Sequence, residues 1–318
     1  MRALVTGCAG FIGSHLTESL LADDQAVLGV DCINDNYGRP QKLRNLERAQ
    51  SWDAFEFVPI DLSRGDLDDL VDEVDVIYHL AAEPGVRASW GRRFELYLRN
   101  NVSATQLLLE AAKRRPEKRF VYASSSSIYG EAETLPTHES LIPAPYSPYG
   151  MTKLSGEHLC RVYYGNYGVD MVILRYFSVY GPRQRPDMAF NIFCRSAIAG
   201  RPLEIYGDGR QTRDFTFVGD VVAATQAAGS LEGIDGGVFN IGGGSRASLR
   251  DVIAMLEEIA GRSLDTRFDQ MQRGDVRDTG ADISAARAQL GFEPRTALRD
   301  GLRAEFEWTA DESRSVVR

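Results

Sequence analysis

The sequence predicts an α/β fold: a doubly wound parallel sheet covered by helices on both faces, with a smaller C-terminal unit interleaved with its end. Three observations carry this. Apolar, β-rich runs alternate with helical patterns through the first half, and nearly continuous apolar strands are what a parallel sheet buried on both faces requires. A glycine triplet, Gly7, Gly10 and Gly13, falls between the first run and the first helix. After residue 177 the rhythm breaks into turns rich in Gly, Pro and Arg.

The expected strands span residues 3–6, 26–30, 55–60, 74–80, 119–124 and 169–176. Between the first two, Ile12, Leu16 and Leu20 recur at i, i+4 and i+8, so one face of that helix packs on the sheet. The pattern returns as a helix at 218–229 and a strand at 238–241. A further helix is expected over 249–259, and the charged tail 310–318 should fray. The expected units are a dinucleotide-binding domain over 1–177 plus about 214–241, and a second domain over about 178–213 and 242–309.

A chain of 318 residues, 43% hydrophobic and 25% charged, has room for one large domain and a smaller one. Its net charge of −9 argues against broad nucleic-acid binding, so an anionic ligand would need local arginines. No apolar stretch approaches the ~18 residues of a membrane span, and Met1-Arg2 runs straight into a strand-like segment, so a soluble cytoplasmic protein is expected. Cys8, Cys32, Cys160 and Cys194 are dispersed, without a Cys-x-x-Cys pair, and the four histidines do not cluster. Neither a disulfide framework nor a metal site is expected, and core packing is the plain role for most of the thiols.

Glycines at 7, 10 and 13 permit a tight turn, close approach of a pyrophosphate and close packing of helix on strand, with the helix N-terminus at Phe11 and Ile12 facing the phosphates. Asp31, ending the second strand, can accept hydrogen bonds from both hydroxyls of an adenosine ribose and would repel a 2′-phosphate. No arginine adjoins it, so the expected cofactor is NAD rather than NADP. A turn with a solvated Asp is the competing reading. Asp61-Leu62 could meet the adenine and Leu80-Ala81-Ala82 could line the cofactor, although each is also simply a strand end.

Tyr149 and Lys153 lie four residues apart, on one face of a helix. A cation beside a phenol lowers a pKa that starts near ~10, so Tyr149 could act as a base. Lys153 could also bond the nicotinamide ribose. Ser124-Ser125-Ser126-Ser127 end the fifth strand, on the sheet edge where such folds bind ligands, and at least one of them is expected to be only a polar exit from the strand.

Together with His79-Leu80-Ala81-Ala82, Leu174-Arg175-Tyr176-Phe177, Val179-Tyr180-Gly181-Pro182 and Thr212-Arg213-Asp214-Phe215, these residues resemble the extended short-chain dehydrogenase/reductases, in particular the NAD-dependent sugar epimerase/dehydratase group, from residue 1 to about 305. Within that group, the segments 31–37 (DCINDNY) and 83–89 (EPGVRAS), with Arg185-Pro186-Asp187-Met188-Ala189, most resemble UDP-glucuronate 4-epimerases. The resemblance implies a Rossmann-type domain holding NAD, with Tyr176 among its contacts, a C-terminal domain for a nucleotide sugar, and a homodimer built on two helices per subunit. It puts the catalytic hydroxyl at Ser125, four residues before Tyr129. Related dehydratases carry an Asp-Glu pair at the next two positions and decarboxylases a Glu at the second, whereas this chain has Ser126 and Ser127. Elimination would then lack its general acid.

The expected reaction is oxidation and re-reduction at C4 of UDP-glucuronate. Ser126, Ser127, Ser178 and Arg185 are the candidates for the carboxylate, with Arg87 a second possibility; for each arginine a surface role competes. Arg213 is assigned to the diphosphate, and the resemblance assigns Asp275 to the uridine, although the arginine often found three residues earlier is Gln272 here, with Arg273 one place later. Ser178 stands where many UDP-glucose 4-epimerases have Asn. A UDP-glucose or UDP-N-acetylglucosamine 4-epimerase, a decarboxylase and a non-catalytic NAD sensor are the alternatives.

Overall fold

The computed structural model describes residues 1–35, 38–244, 246–272 and 274–315. Strands β1 (Arg2–Thr6), β2 (Ala26–Asp31), β3 (Phe55–Pro59), β4 (Val76–His79), β5 (Arg119–Ser125) and β6 (Met171–Tyr176) join Val238–Ile241 in one seven-stranded sheet. The order is Val238–Ile241, β6, β5, β4, β1, β2, β3, every pairing parallel. The chain therefore winds outward from β1 in one direction and returns to wind outward in the other. That reversal leaves a crevice at the C-terminal ends of β1 and β4, where open α/β sheets bind ligands.

Strand alternation divides the apolar runs between two cores. Ala3, Val5, Val121, Ala123, Val172 and Leu174 face one side, under helix α1 (Phe11–Ala22) and the Val218–Ser230 helix. Leu4, Phe120, Tyr122, Met171 and Ile173 face the other, under the Ala104–Ala112 and Pro148–Tyr167 helices. Every residue of β6 is buried, as a doubly covered strand demands. Truncating one, such as Ile173→Ala, should cost about 2–5 kcal/mol. On α1, Leu16 and Leu20 are fully buried, while Ile12 faces a cavity.

A third core gathers Tyr180, Phe190, Phe193, Leu203, Ile205, Val252, Leu256 and Leu302. Its helix Leu249–Ala260 opens on a capping box, Ser248 with Asp251, and closes on left-handed Gly261, so both ends are specified locally. One finding departs from the sequence reading. The tail does not fray at 310: helix Leu298–Ser315 continues through it, with Thr309 buried and Glu312 bound by Arg44 at 2.9 Å, a long-range pair that local composition could not signal. Residues 316–318 lie outside the described residues. Ile283, Ala286, Leu290 and Phe292 pack into the sheet-side core, so we propose that this stretch belongs to the large unit rather than to the small one.

Candidate active site

Two cavities open side by side at the C-terminal edge of the sheet and share Phe11, Ile12, Ser124, Tyr149, Tyr176 and Arg185. The first begins where β1 turns. Gly7, at φ +74°, donates its amide to the Val30 carbonyl at 2.7 Å. A Cβ on Gly7 would sit 2.9 Å from the Ala81 amide nitrogen, and one on Gly13 would sit 2.1 Å from the Gly7 carbonyl oxygen. Glycine is thus obligatory at both. Helix α1 then starts at Gly10 with no side-chain cap, so its first amides point at the cavity unclaimed by a capping side chain. Such a cradle, too close for any side chain and rich in N–H donors, fits a dinucleotide pyrophosphate.

Gly7, Gly10, Phe11, Ile12, Gly13, Asp31, Asp61, Leu62, Leu80, Ala81, Ala82, Tyr149, Lys153 and Tyr176 all line this first cavity. The sequence reading missed Asn34, Lys42 and Asn100. Asn100 arrives on a π-helical stretch, Leu98–Ser103, a local widening with no clear sequence signature. Lys42 comes from the helix Arg39–Glu47 and donates to Asp31 Oδ1 at 3.2 Å and to Asn34 Oδ1 at 2.7 Å, so the carboxylate has a buried lysine beside it that the sequence reading did not name. Both this bond and that from the Ile33 amide fall on Oδ1. Of the 31–37 segment, Asn36 and Tyr37 lie outside the described residues.

Tyr149 sits in the first turn of the Pro148–Tyr167 helix, whose start is fixed by Pro148 and by Ser147, the hydroxyl of which accepts from the Gly150 amide at 3.1 Å. Its ring stands edge-on to Tyr97, centroids 6.3 Å apart. Burial pushes the phenol pKa up; a hydrogen bond with Ser125 and the charge of Arg185 pull it back down. Arg185, which the sequence reading assigned only to the carboxylate, is thus also a cation acting on the phenol. Lys153 Nζ instead donates to the Ala123 carbonyl at 2.8 Å, and burial lowers its pKa to about 8.

One turn beyond Lys153, Glu157 accepts from Ser124 Oγ at 2.5 Å and from both Nε and Nη2 of Arg175 at 3.0 and 2.7 Å. This buried network ties the helix to β5 and β6. Breaking such a pair costs roughly 3–5 kcal/mol. Ser124 is the structural member of the serine run.

Ser125, Ser126, Ser127, Ser178, Arg185, Arg213 and Asp275 line the second cavity, with Tyr146, Met188 and Thr279 as residues missed from sequence. Arg87 does not line it; it reaches the site through Asp275, at 2.7 Å, with its guanidinium 4.4 Å from the centre of the Tyr206 ring. Arg213 donates to the carbonyls of Thr212, Val276 and Arg277, so much of its fork holds the loop that carries Asp275. Arg273 lies outside the described residues. Among the described residues, no group of three side chains could hold a metal ion and no helix is long and apolar enough to cross a membrane.

A model of the NAD dependent epimerase/dehydratase family matches residues 3–242. The chain belongs to this epimerase/dehydratase family. Its fold superposes on the UDP-glucuronic acid 4-epimerase of Bacillus cereus, solved with UDP-glucuronic acid and NAD, with a TM-score of 0.96 and 46% identity over 98% of this chain and 100% of that one. The family member is also 45% identical to an uncharacterized UDP-glucose epimerase of Bacillus subtilis, over 97% of this chain and 98% of the relative. It is 38% identical to a UDP-glucuronate 4-epimerase of Thermodesulfobacterium geofontis, over 97% and 96%.

Proposed function

We propose that this protein inverts C4 of UDP-glucuronic acid to give UDP-galacturonic acid through a transient 4-keto sugar. The observation that carries the reading is the wall of the second cavity: hydroxyls of Ser125, Ser126, Ser127 and Ser178 with the guanidinium of Arg185, a donor set suited to a carboxylate beside a reacting carbon. Bound NAD supplies the acceptance of a hydride from C4 and its return. Tyr149 takes the O4 proton and gives it back, helped by the Ser125 hydroxyl and by the charge of Arg185, which favour the phenolate against its burial. Lys153, anchored on Ala123, presents its cation at the base of the cofactor cavity.

Oxidation at C4 makes the uronate a β-keto acid, which loses carbon dioxide when the breaking bond stands perpendicular to the carbonyl plane. Arg185 and the serines hold the carboxylate and so resist the ring pucker that reaches this geometry, while Ser126 and Ser127 offer no carboxyl to drive elimination. For the nucleotide end we assign Asp275 and Arg87 to the uridine side and Arg213 to the diphosphate. We further propose a homodimer, because the Pro148–Tyr167 helix leaves Met151, Val162, Tyr164 and Tyr167 exposed, together with nearby Leu98.

A neutral UDP-hexose 4-epimerase is the second reading, favoured by the Bacillus subtilis relative. A C6 hydroxymethyl group would offer the guanidinium lining the cavity only a neutral acceptor, where a uronate offers a charge-assisted one, which argues for the uronate. The test of hydride return uses substrate deuterated at C4 in ordinary water. The product is expected to keep the deuterium at C4; washout would contradict the mechanism.

A further inference from the structure

We propose that Asp187 is a positioning residue that aims the Arg185 guanidinium, and so sets the preference for an acidic sugar and protects the keto acid from losing carbon dioxide. This rests on Arg185 being the partner of the uronate carboxylate, as proposed above.

The local sequence builds the pair. In Arg185-Pro186-Asp187-Met188, Pro186 fixes its own φ near the value a turn needs at its second position, and the Met188 amide closes the turn on the Arg185 carbonyl at 3.1 Å. Arg185 Nε then donates to Asp187 Oδ1 at 3.0 Å and Nη2 to Oδ2 at 2.9 Å, a bidentate contact that fixes the guanidinium plane as well as its distance. Arg185 lines both cavities while Asp187 lines neither, and 57% of the Asp187 side chain is exposed against 17% for Arg185. The carboxylate therefore grips from outside, along the Nε/Nη2 edge. The Nη1/Nη2 edge is a second fork of matching shape for a ligand carboxylate.

The backbone beneath is already held. Glu305 accepts from the Gly181 amide at 2.7 Å, His15 meets the Pro182 carbonyl at 2.9 Å, Arg183 at φ +65° pairs with Glu18 at 2.7 Å, and Gln184 accepts from the Asn191 amide at 2.9 Å. The Arg185 side chain is long, and its rotamers cost binding energy to freeze. Asp187 freezes them before the ligand arrives.

If that grip is lost, the sugar ring can pucker until the C5–C6 bond stands perpendicular to the C4 carbonyl plane. The C5–C6 bond then breaks, its electron pair forms the enolate with the C4 carbonyl, carbon dioxide leaves, and a solvent proton at C5 gives a UDP-4-keto-pentose. When this ketone departs, the hydride taken from C4 is not returned and reduced cofactor accumulates.

The test compares Asp187→Ala and Asp187→Asn with the unaltered NAD-loaded protein on UDP-glucuronate, in the presence and absence of Arg185→Ala. KM, kcat and the share of decarboxylated products are measured. Asp187→Ala is expected to raise KM about tenfold with a smaller change in kcat. It should also raise the share of UDP-pentose and UDP-4-keto-pentose, with Asp187→Asn intermediate because it keeps one acceptor. In the Arg185→Ala background, Asp187→Ala should change nothing further, the mark of a residue acting only through Arg185. Unchanged KM and products in both variants, or an equal effect without Arg185, would overturn the role of Asp187 while leaving the substrate reading intact. An unaltered protein inert on the uronate would overturn both.

Discussion

The two cavities share Tyr149 and Arg185 but are built by different means. The cofactor cavity is backbone geometry: a glycine turn, an uncapped helix start, and residues at the ends of β1 to β5 that the sheet alone brings together. The substrate cavity is an assembly of side chains from loops near 85, 125, 146, 178–188, 213 and 275, whose positions depend on pairs such as Arg185 with Asp187 and Arg87 with Asp275. The first is a property of the fold; the second is a set of attachments to it, where specificity can change without disturbing the sheet.

Tyr149→Phe should break the chemistry while removing only one hydroxyl from the wall the cavities share. Turnover is expected to fall about 10³-fold with NAD content unchanged, measured by steady-state rates and by extraction of bound cofactor. Arg185→Ala should separate the cavities: uronate turnover lost by roughly 2 to 3 kcal/mol of binding and positioning, and NAD affinity unaltered by calorimetry. A matching loss of NAD affinity would mean the walls are coupled through Arg185.

Asp31→Asn tests the cofactor wall from the other side. With the carboxylate gone, Lys42 remains beside the ribose site, and the ratio of NADP to NAD affinity should rise about tenfold. No rise in NADP affinity would mean Lys42 points away from the 2′ position.

The smallest effect concerns the platform under the substrate loop. Burial raises the Glu305 pKa to about 8 from an ordinary 4.5. A carboxyl whose folded pKa is raised stabilises fully below the unfolded value, and that contribution is lost as pH rises through the folded value. Glu305→Gln should therefore gain melting temperature over the unaltered protein progressively between about pH 4.5 and 8, by a few degrees, and level off above that. A constant difference across this range would contradict a buried neutral carboxyl.

Legibility in the sequence follows the same division. Strand runs, the glycine triplet and Asp31 were visible because each is dictated within a few residues by sheet burial or turn geometry. Ser124 and Ser125 look alike in a run of four, yet strand parity separates them: Ser125 shares its face with Val121 and Ala123, and Ser124 turns to Glu157. Glu157 went unread, although its place four residues after Lys153 puts it on the same helix face. Lys42, Asn100 and the Arg87–Asp275 pair were not legible, because each depends on a tertiary contact or a local change of helix type. The C-terminal helix was misjudged for the same reason: composition marks it as charged, whereas the distant Arg44 and Arg195 hold Glu312.

The most direct test of the central claim is incubation of purified protein and NAD with UDP-glucuronate, and separately with UDP-glucose, the products being resolved by chromatography with mass detection. A new peak of unchanged mass from the uronate is the expected result. Conversion of UDP-glucose alone, or loss of carbon dioxide as the main outcome, would contradict it.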